Sequence, residues 1–314
     1  MHRRFAPKSK PKGGAFMRLI STFCLMLALV LAGTAHAHIG EKVFLIFEIP
    51  DADLGDLDLF DGDISDWEEV VGDASLTPED FFADPTVGDG AQYDPADMDY
   101  RVWLGWNNTN NRLYLAAERT DNVYINEYAG GAPASVWQHD SVEFMVDGDH
   151  SGGQYNFGNS ETMTDEEKAL NQNRQAQKWN AIFDSPDGRF LGYPGRADWL
   201  NSPPLSDGGG ASVGEGPTTS VLEIYVTPYD DIVFSDQAAS VATDLEAGNI
   251  IGFQIAMPDF DEAPQQYRGY HTLSGQAATF RFAERFVDGQ LVGAGDATAV
   301  TDRSWARIKA SFSE

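Results

Sequence analysis

Three observations predict an all-β fold, a two-sheet antiparallel sandwich with a few short helices in its insertions. β-branched and aromatic runs recur along the chain between Gly, Asn, Asp and Pro. Helical signals are few. The 314 residues are 42% hydrophobic and 12% aromatic, enough for one large core despite the high charge. Many strands with few helices bury their apolar faces by packing sheet on sheet.

The strands fall, in order, at 43–49, 100–106, 113–119, 141–147, 178–184, 221–227, 250–258, 279–283 and 305–312. Between the second and third, Asn107-Asn108-Thr109-Asn110-Asn111 is a hairpin connection, because Asn tolerates the left-handed conformations that tight turns need. A helix is expected over 164–177, opening with Thr164-x-x-Glu167 as a capping box. Thr77-Pro78-Glu79 starts a shorter one with proline in its first turn. The Gly/Pro/Ser-rich stretch 202–219 reads as a surface loop or hinge, and Trp67, Trp103 and Trp305 as core.

The strand at 141–147 gives its two faces different work. Val142, Phe144 and Val146 point one way and can pack a core; Ser141, Glu143, Met145 and Asp147 point the other. Two carboxylates on one strand face are either solvated or hold a ligand.

Charge and leader bound the function. The formal net charge is −28, a field that repels phosphate backbones and argues against nucleic-acid partners and anionic membrane surfaces. Arg18, the apolar run 19–31 and the small-x-small site Ala35-His36-Ala37 form an export signal. The expected organisation is therefore a leader over 1–37 and a single domain over 38–314, secreted or periplasmic. The only cysteine, Cys24, lies inside the leader, so the processed chain has no disulfide and no thiolate.

Four blocks in order carry a resemblance: 60–67 with Asp61-Gly62-Asp63 and Trp67; 112–121 from Arg112 to Asp121; 137–147 from Trp137 to Asp147; and Leu222-Glu223-Ile224 followed by Gly252-Phe253 and Pro258-Asp259-x-Asp261. Together they resemble the family 9 carbohydrate-binding modules and their wider relatives, over about 43–312 with insertions around Thr86, Asn159 and Gly209. The resemblance implies a jelly-roll-like sandwich with structural calcium that binds the ends of sugar chains. It implies that Trp137 stacks on a sugar face, that Glu143 accepts hydrogen bonds from sugar hydroxyls, and that Lys178 and Asn180 complete the polar ring. Where the family has a second tryptophan, this chain reads Tyr270-His271-Thr272-Leu273-Ser274-Gly275, leaving Tyr270 or Trp199 as the second wall. Glu143 also has a plainer reading, a cross-strand ion pair with Lys178.

Two loops are candidate calcium ligands. Asp147-Gly148-Asp149-His150-Ser151-Gly152 places oxygens at alternate positions, but Gly158 stands where an EF-hand needs its closing Glu, so Asp147, Asp149 and Ser151 point to an oxygen-rich β-loop site instead. Asp61 and Asp63, beside Ser65 and Asp66, form the second. No nucleophile, zinc or phosphate-loop motif is present, and the best-placed acids match binding positions, so a non-catalytic protein is expected. Two alternatives stand: a haem-binding electron-transfer sandwich using Met145, Met257 or His271, and a structural surface protein.

Overall fold

A computed structural model describes residues 42–131 and 133–295. Their order is β1 (Val43–Glu48), helix α1 (Ser65–Val70), β2 (Phe82–Ala83), β3 (Met98–Asn107), β4 (Arg112–Asp121), β5 (Ser141–Asp147), helix α2 (Asp165–Asn171), β6 (Gln177–Ile182), β7 (Leu191–Gly192), β8 (Ser206–Val213), β9 (Thr218–Val226), β10 (Tyr229–Asp231), β11 (Val241–Ala242), β12 (Ile250–Phe260), β13 (Tyr267–Thr272) and β14 (Val287–Val292). The export signal and the strand expected at 305–312 lie outside the described residues.

The chain forms the all-β sandwich, with one feature that the pattern did not carry. Its layers are continuous: twelve strands make one sheet, along the path β7-β6-β5-β12-β14-β1-β3-β4-β9-β8, with β13 on β12 and β2 on β13. Pairing is antiparallel except at β1, which runs parallel to both β14 and β3 and joins the two layers. The main core lies between them. Val142, Phe144 and Val146 of β5 and Phe253 and Ile255 of β12 meet Val102, Leu115, Leu222 and Ile224 of β3, β4 and β9 there.

Both outer faces are covered. Over β3, β4 and β9, the segment before β2 packs Ile49, Leu59 and Trp67 onto Trp103, Tyr114 and Tyr225. Over β5, β12 and β13, Tyr155, Ala176, Ala283 and Phe286 pack onto Met145, Ala256 and Tyr270. Trp67 and Trp103 are therefore core residues, fully buried.

Local departures from the sequence reading have physical causes. The stretch 202–219 is no loop; it forms β8 and its turn into β9. Its glycines let other backbone come close, since a Cβ at Gly209 would meet Leu59 O at 2.6 Å and one at Gly210 would meet Phe183 O at 2.5 Å. Helix α2 has the expected reciprocal Thr164–Glu167 capping box but stops at Asn171, because Asn173 turns left-handed with φ 55 and donates its N–H to Tyr155 O. Residues 279–283 make only one bridge, Gln154 to Phe282, because they lie across the outer face of the β5 layer, with Phe280 against Tyr270.

Candidate functional site

Period-2 alternation and register assemble the site. Glu143 on β5 sits opposite Asn180 on β6, and Met145 opposite Lys178, so Glu143, Lys178 and Asn180 share the outer face. On the other side of β5, Ala256 of β12 faces Glu143; its small side chain leaves room for Tyr270, which reaches over from β13. A 3-10 turn, Pro133–Gln138, brings Trp137 to the entrance of β5, where Trp137 O accepts from Tyr267 OH at 3.1 Å.

These elements enclose a cavity of about 390 Å3, within the range of small-molecule sites. All four sequence-predicted residues, Trp137, Glu143, Lys178 and Asn180, line it. Its floor is polar: Lys178 Nζ donates to Glu143 Oε1 at 2.9 Å, and Tyr270 OH donates to Glu143 Oε2. Glu143 and Lys178 are 2% and 6% exposed, so the ion pair is buried. Burial, with the Glu143 charge adding, pushes the Tyr270 phenol far up, so it stays a donor. The walls are aromatic: besides Trp137, the lining includes Tyr267, Tyr270 and Phe280, with Tyr270 edge-on to both of the others.

Asn180 carries the most informative geometry. It is fully buried, yet neither its amide nitrogen nor its oxygen has a hydrogen-bond partner. A buried polar group left unpaired costs about 1–3 kcal/mol, and this one lies on the cavity lining.

The outer face that carries these residues is roofed, because two segments fold over it. Residues 152–172 contribute Asn156, Asn159 and Gln172, and the segment after β2 contributes Val87. Gln172 Oε1 accepts from Phe157 N at 2.8 Å, tying the end of α2 to this roof. Of the two candidates for a second aromatic wall, Tyr270 lines the cavity, whereas Trp199 donates to Phe234 O and packs on Tyr229 elsewhere.

The haem ligands considered from sequence do not converge. Met145 packs in the outer layer and Met257 in the central core. His271 is the cross-strand neighbour of Met257, but its ring nitrogens are taken by Tyr100 OH at 3.2 Å and Ala91 O at 3.0 Å.

In the first acidic loop, Asp147 Oδ2 accepts from Gly152 N at 2.6 Å, and Asp149 Oδ1 accepts from Ser151 N at 3.1 Å. Gly152 is left-handed, as such a turn requires. Burial and the neighbouring Asp147 raise Asp149; burial, together with Asp147 and Asp244, raises Asp230. This crowding of carboxylates on oxygen-rich turns fits a hard cation. In the second loop, Asp61 Oδ1 accepts from Asp63 N and Asp63 Oδ1 from Ser65 N, leaving one oxygen of each carboxylate outside these turn bonds.

Sequence reasoning missed a cluster at one end of the sandwich. Buried Arg119 pairs with Asp121 and, at 2.7 Å, with Asp140. Asp140 also accepts from Ile125 N and Phe260 N at 2.6 and 3.0 Å, fastening the turn that carries Trp137 to the end of β12. Burial raises Asp140 and Asp259 to about 7 against the opposing pull of Arg119. The signal was in the motifs, at Asp121, Asp140 and Pro258-Asp259-x-Asp261, but their meeting depends on the topology.

Among solved structures, the chain is similar to a family 9 carbohydrate-binding module from Caldicellulosiruptor kristjanssonii in complex with cellotriose, at 14% identity and TM-score 0.46, covering 81% of this chain and 96% of that one. The same module in complex with glucose matches at 14% identity and TM-score 0.46, covering 81% and 98%. A Bacteroides uniformis protein described as carbohydrate-binding matches at 9% identity and TM-score 0.39, covering 79% and 99%. No protein-family model matches the chain, and no curated protein matches it.

Proposed function

We propose that this is an exported, non-catalytic carbohydrate-binding protein, and that the cavity beneath Trp137 takes the end of a sugar chain. The observation that carries this reading is the Asn180 amide, buried on the cavity lining with both its donor and its acceptor unspent. A sugar hydroxyl is both donor and acceptor and can satisfy it. The rest of the lining supports the same ligand class. Glu143 retains acceptor lone pairs beyond its bonds to Lys178 and Tyr270, and a pyranose face presents C–H groups that pack on the indole of Trp137. The ion pair balances itself, so a neutral, polyhydroxylated ligand enters without an uncompensated charge.

In this reading calcium is the stabilising ion, held by Asp147, Asp149 and Ser151 and, in the second loop, by Asp61 and Asp63. When bound, it neutralises carboxylates that otherwise repel one another. Chelation should then lower the melting temperature, since an ion at a hundredfold excess over its Kd adds about 2.7 kcal/mol to the folded state. An unchanged melting curve together with no metal in the purified protein would remove calcium from the account.

Calorimetric titration of mono- and oligosaccharides tests the binding reading. Trp137→Ala should abolish binding and leave the protein folded, because Trp137 is only half-buried. Failure of the parent protein to bind any saccharide at millimolar concentration would refute the reading.

A further inference from the structure

The roof of the cavity has a polarity of its own. Phe157 N donates to Gln172 Oε1 at 2.8 Å, and Gly158 N donates to Asn156 Oδ1 at 3.1 Å. A backbone N–H must meet the oxygen of a side-chain amide and not its nitrogen, so these two bonds fix which way each amide is turned. Both oxygens face the roof's own backbone. Both NH2 groups are left over, and neither has an acceptor among the described residues. Asn156 and Gln172 line the cavity, so what they offer a ligand is hydrogen-bond donors.

Beside these donors the lining carries two aliphatic side chains, Val87, which comes in with the roof, and Pro194. A sugar bearing only hydroxyls matches the floor, where Glu143 and Asn180 have capacity to spare, but it buries nothing apolar against Val87. An acetamido group matches donors and aliphatic carbon together. Its carbonyl is an acceptor with two lone pairs and no proton, and its methyl leaves water against apolar surface. A carboxylate would accept from the same donors, but the one cation in the lining, Lys178, is already paired with Glu143. The acetamido group is neutral and leaves that balance undisturbed.

We propose that the ligand is an N-acetylated amino sugar, its acetamido group held under the roof by Asn156, Gln172 and Val87. The proposal rests on the reading of the cavity as a saccharide site and names the ligand class within it.

Calorimetric titration of the full chain with N-acetylglucosamine and its dimer, beside glucose and cellobiose, tests it. The acetylated sugars should bind at least tenfold more tightly. Gln172→Glu combined with Asn156→Asp keeps the shape of both side chains and the oxygen that accepts from the backbone, but turns each free donor into an acceptor that repels the acetyl carbonyl. The double variant should cut the preference to below about threefold. If it does not fold, Val87→Thr, which sets a hydroxyl where a methyl stood, should lower the preference by itself. A parent that binds glucose as tightly as N-acetylglucosamine, or a preference that outlives these variants, overturns the acetamido assignment and leaves the saccharide reading standing. A parent that binds neither sugar removes both.

Discussion

Glu143 and Glu223 are the same residue type on the outer faces of opposite layers, both buried, and their surroundings differ in two respects. Glu143 meets a cation, Lys178, and a cavity. Glu223 is held by Trp67 Nε1 at 2.9 Å and by Gly62 N at 3.2 Å, beneath a packed cover of Trp67, Trp103 and Tyr225. Burial, reinforced by Asp66 and Asp61 and only partly offset by the Trp67 bond, pushes Glu223 up to about 8. The comparison teaches that an acid behind a sheet can face a ligand where a cation shares its burial; without one, it becomes part of the packing.

The largest expected effect comes from breaking the pair. Glu143→Ala leaves the Lys178 ammonium buried without its carboxylate and should cost about 3–5 kcal/mol in equilibrium unfolding. Replacing both partners, Glu143→Leu with Lys178→Met, should cost far less, because the charges leave together. A single-variant loss below about 1 kcal/mol would show that water in the cavity already solvates the pair, and the contrast with Glu223 would weaken.

Next is pH. A carboxyl whose folded pKa, about 8, lies above its unfolded value near 4.5 binds more protons in the folded state between those limits. Its stabilising contribution is complete below about 4.5 and fades as pH rises toward 8. Glu223→Gln should match the parent near pH 5 and become relatively more stable as pH rises, by at most about 1.4 kcal/mol per pH unit. Melting curves of the two proteins across that range check the sign; a gap that does not widen with pH would place an ionised Glu223 in the packed layer.

A smaller loss of stability is expected at Trp137. Removing this half-buried indole should cost less than the roughly 3–5 kcal/mol expected for Trp67→Ala in the packed cover, even though it removes saccharide binding. Equal losses in denaturant unfolding would make Trp137 a structural anchor like Trp67.

What the sequence could and could not carry follows the same division. Alternation on β5 put Val142, Phe144 and Val146 inward and Glu143 outward, and the two-residue spacing of Lys178 and Asn180 placed them on one face, because these facts are local to a strand. The roof was not legible, since it depends on where Asn156, Asn159 and Val87 land after long insertions. Nor was the choice of Tyr270 over Trp199, which rests on β13 pairing with β12. The Arg119 cluster joins residues far apart in the chain, and the strand β8 was hidden by glycines that are there for close approach rather than for turning.

The central claim is that the cavity's unspent amide is a ligand group, and Asn180→Leu tests it most directly. The substitution keeps the side chain's size and removes a buried donor and acceptor that nothing in the described fold satisfies. Measured side by side by calorimetric saccharide titration and thermal unfolding, the variant should lose at least tenfold in affinity while its melting temperature stays level or rises. Undiminished binding, or a fall in melting temperature, would contradict the account, because the amide would then be serving the fold and not a ligand.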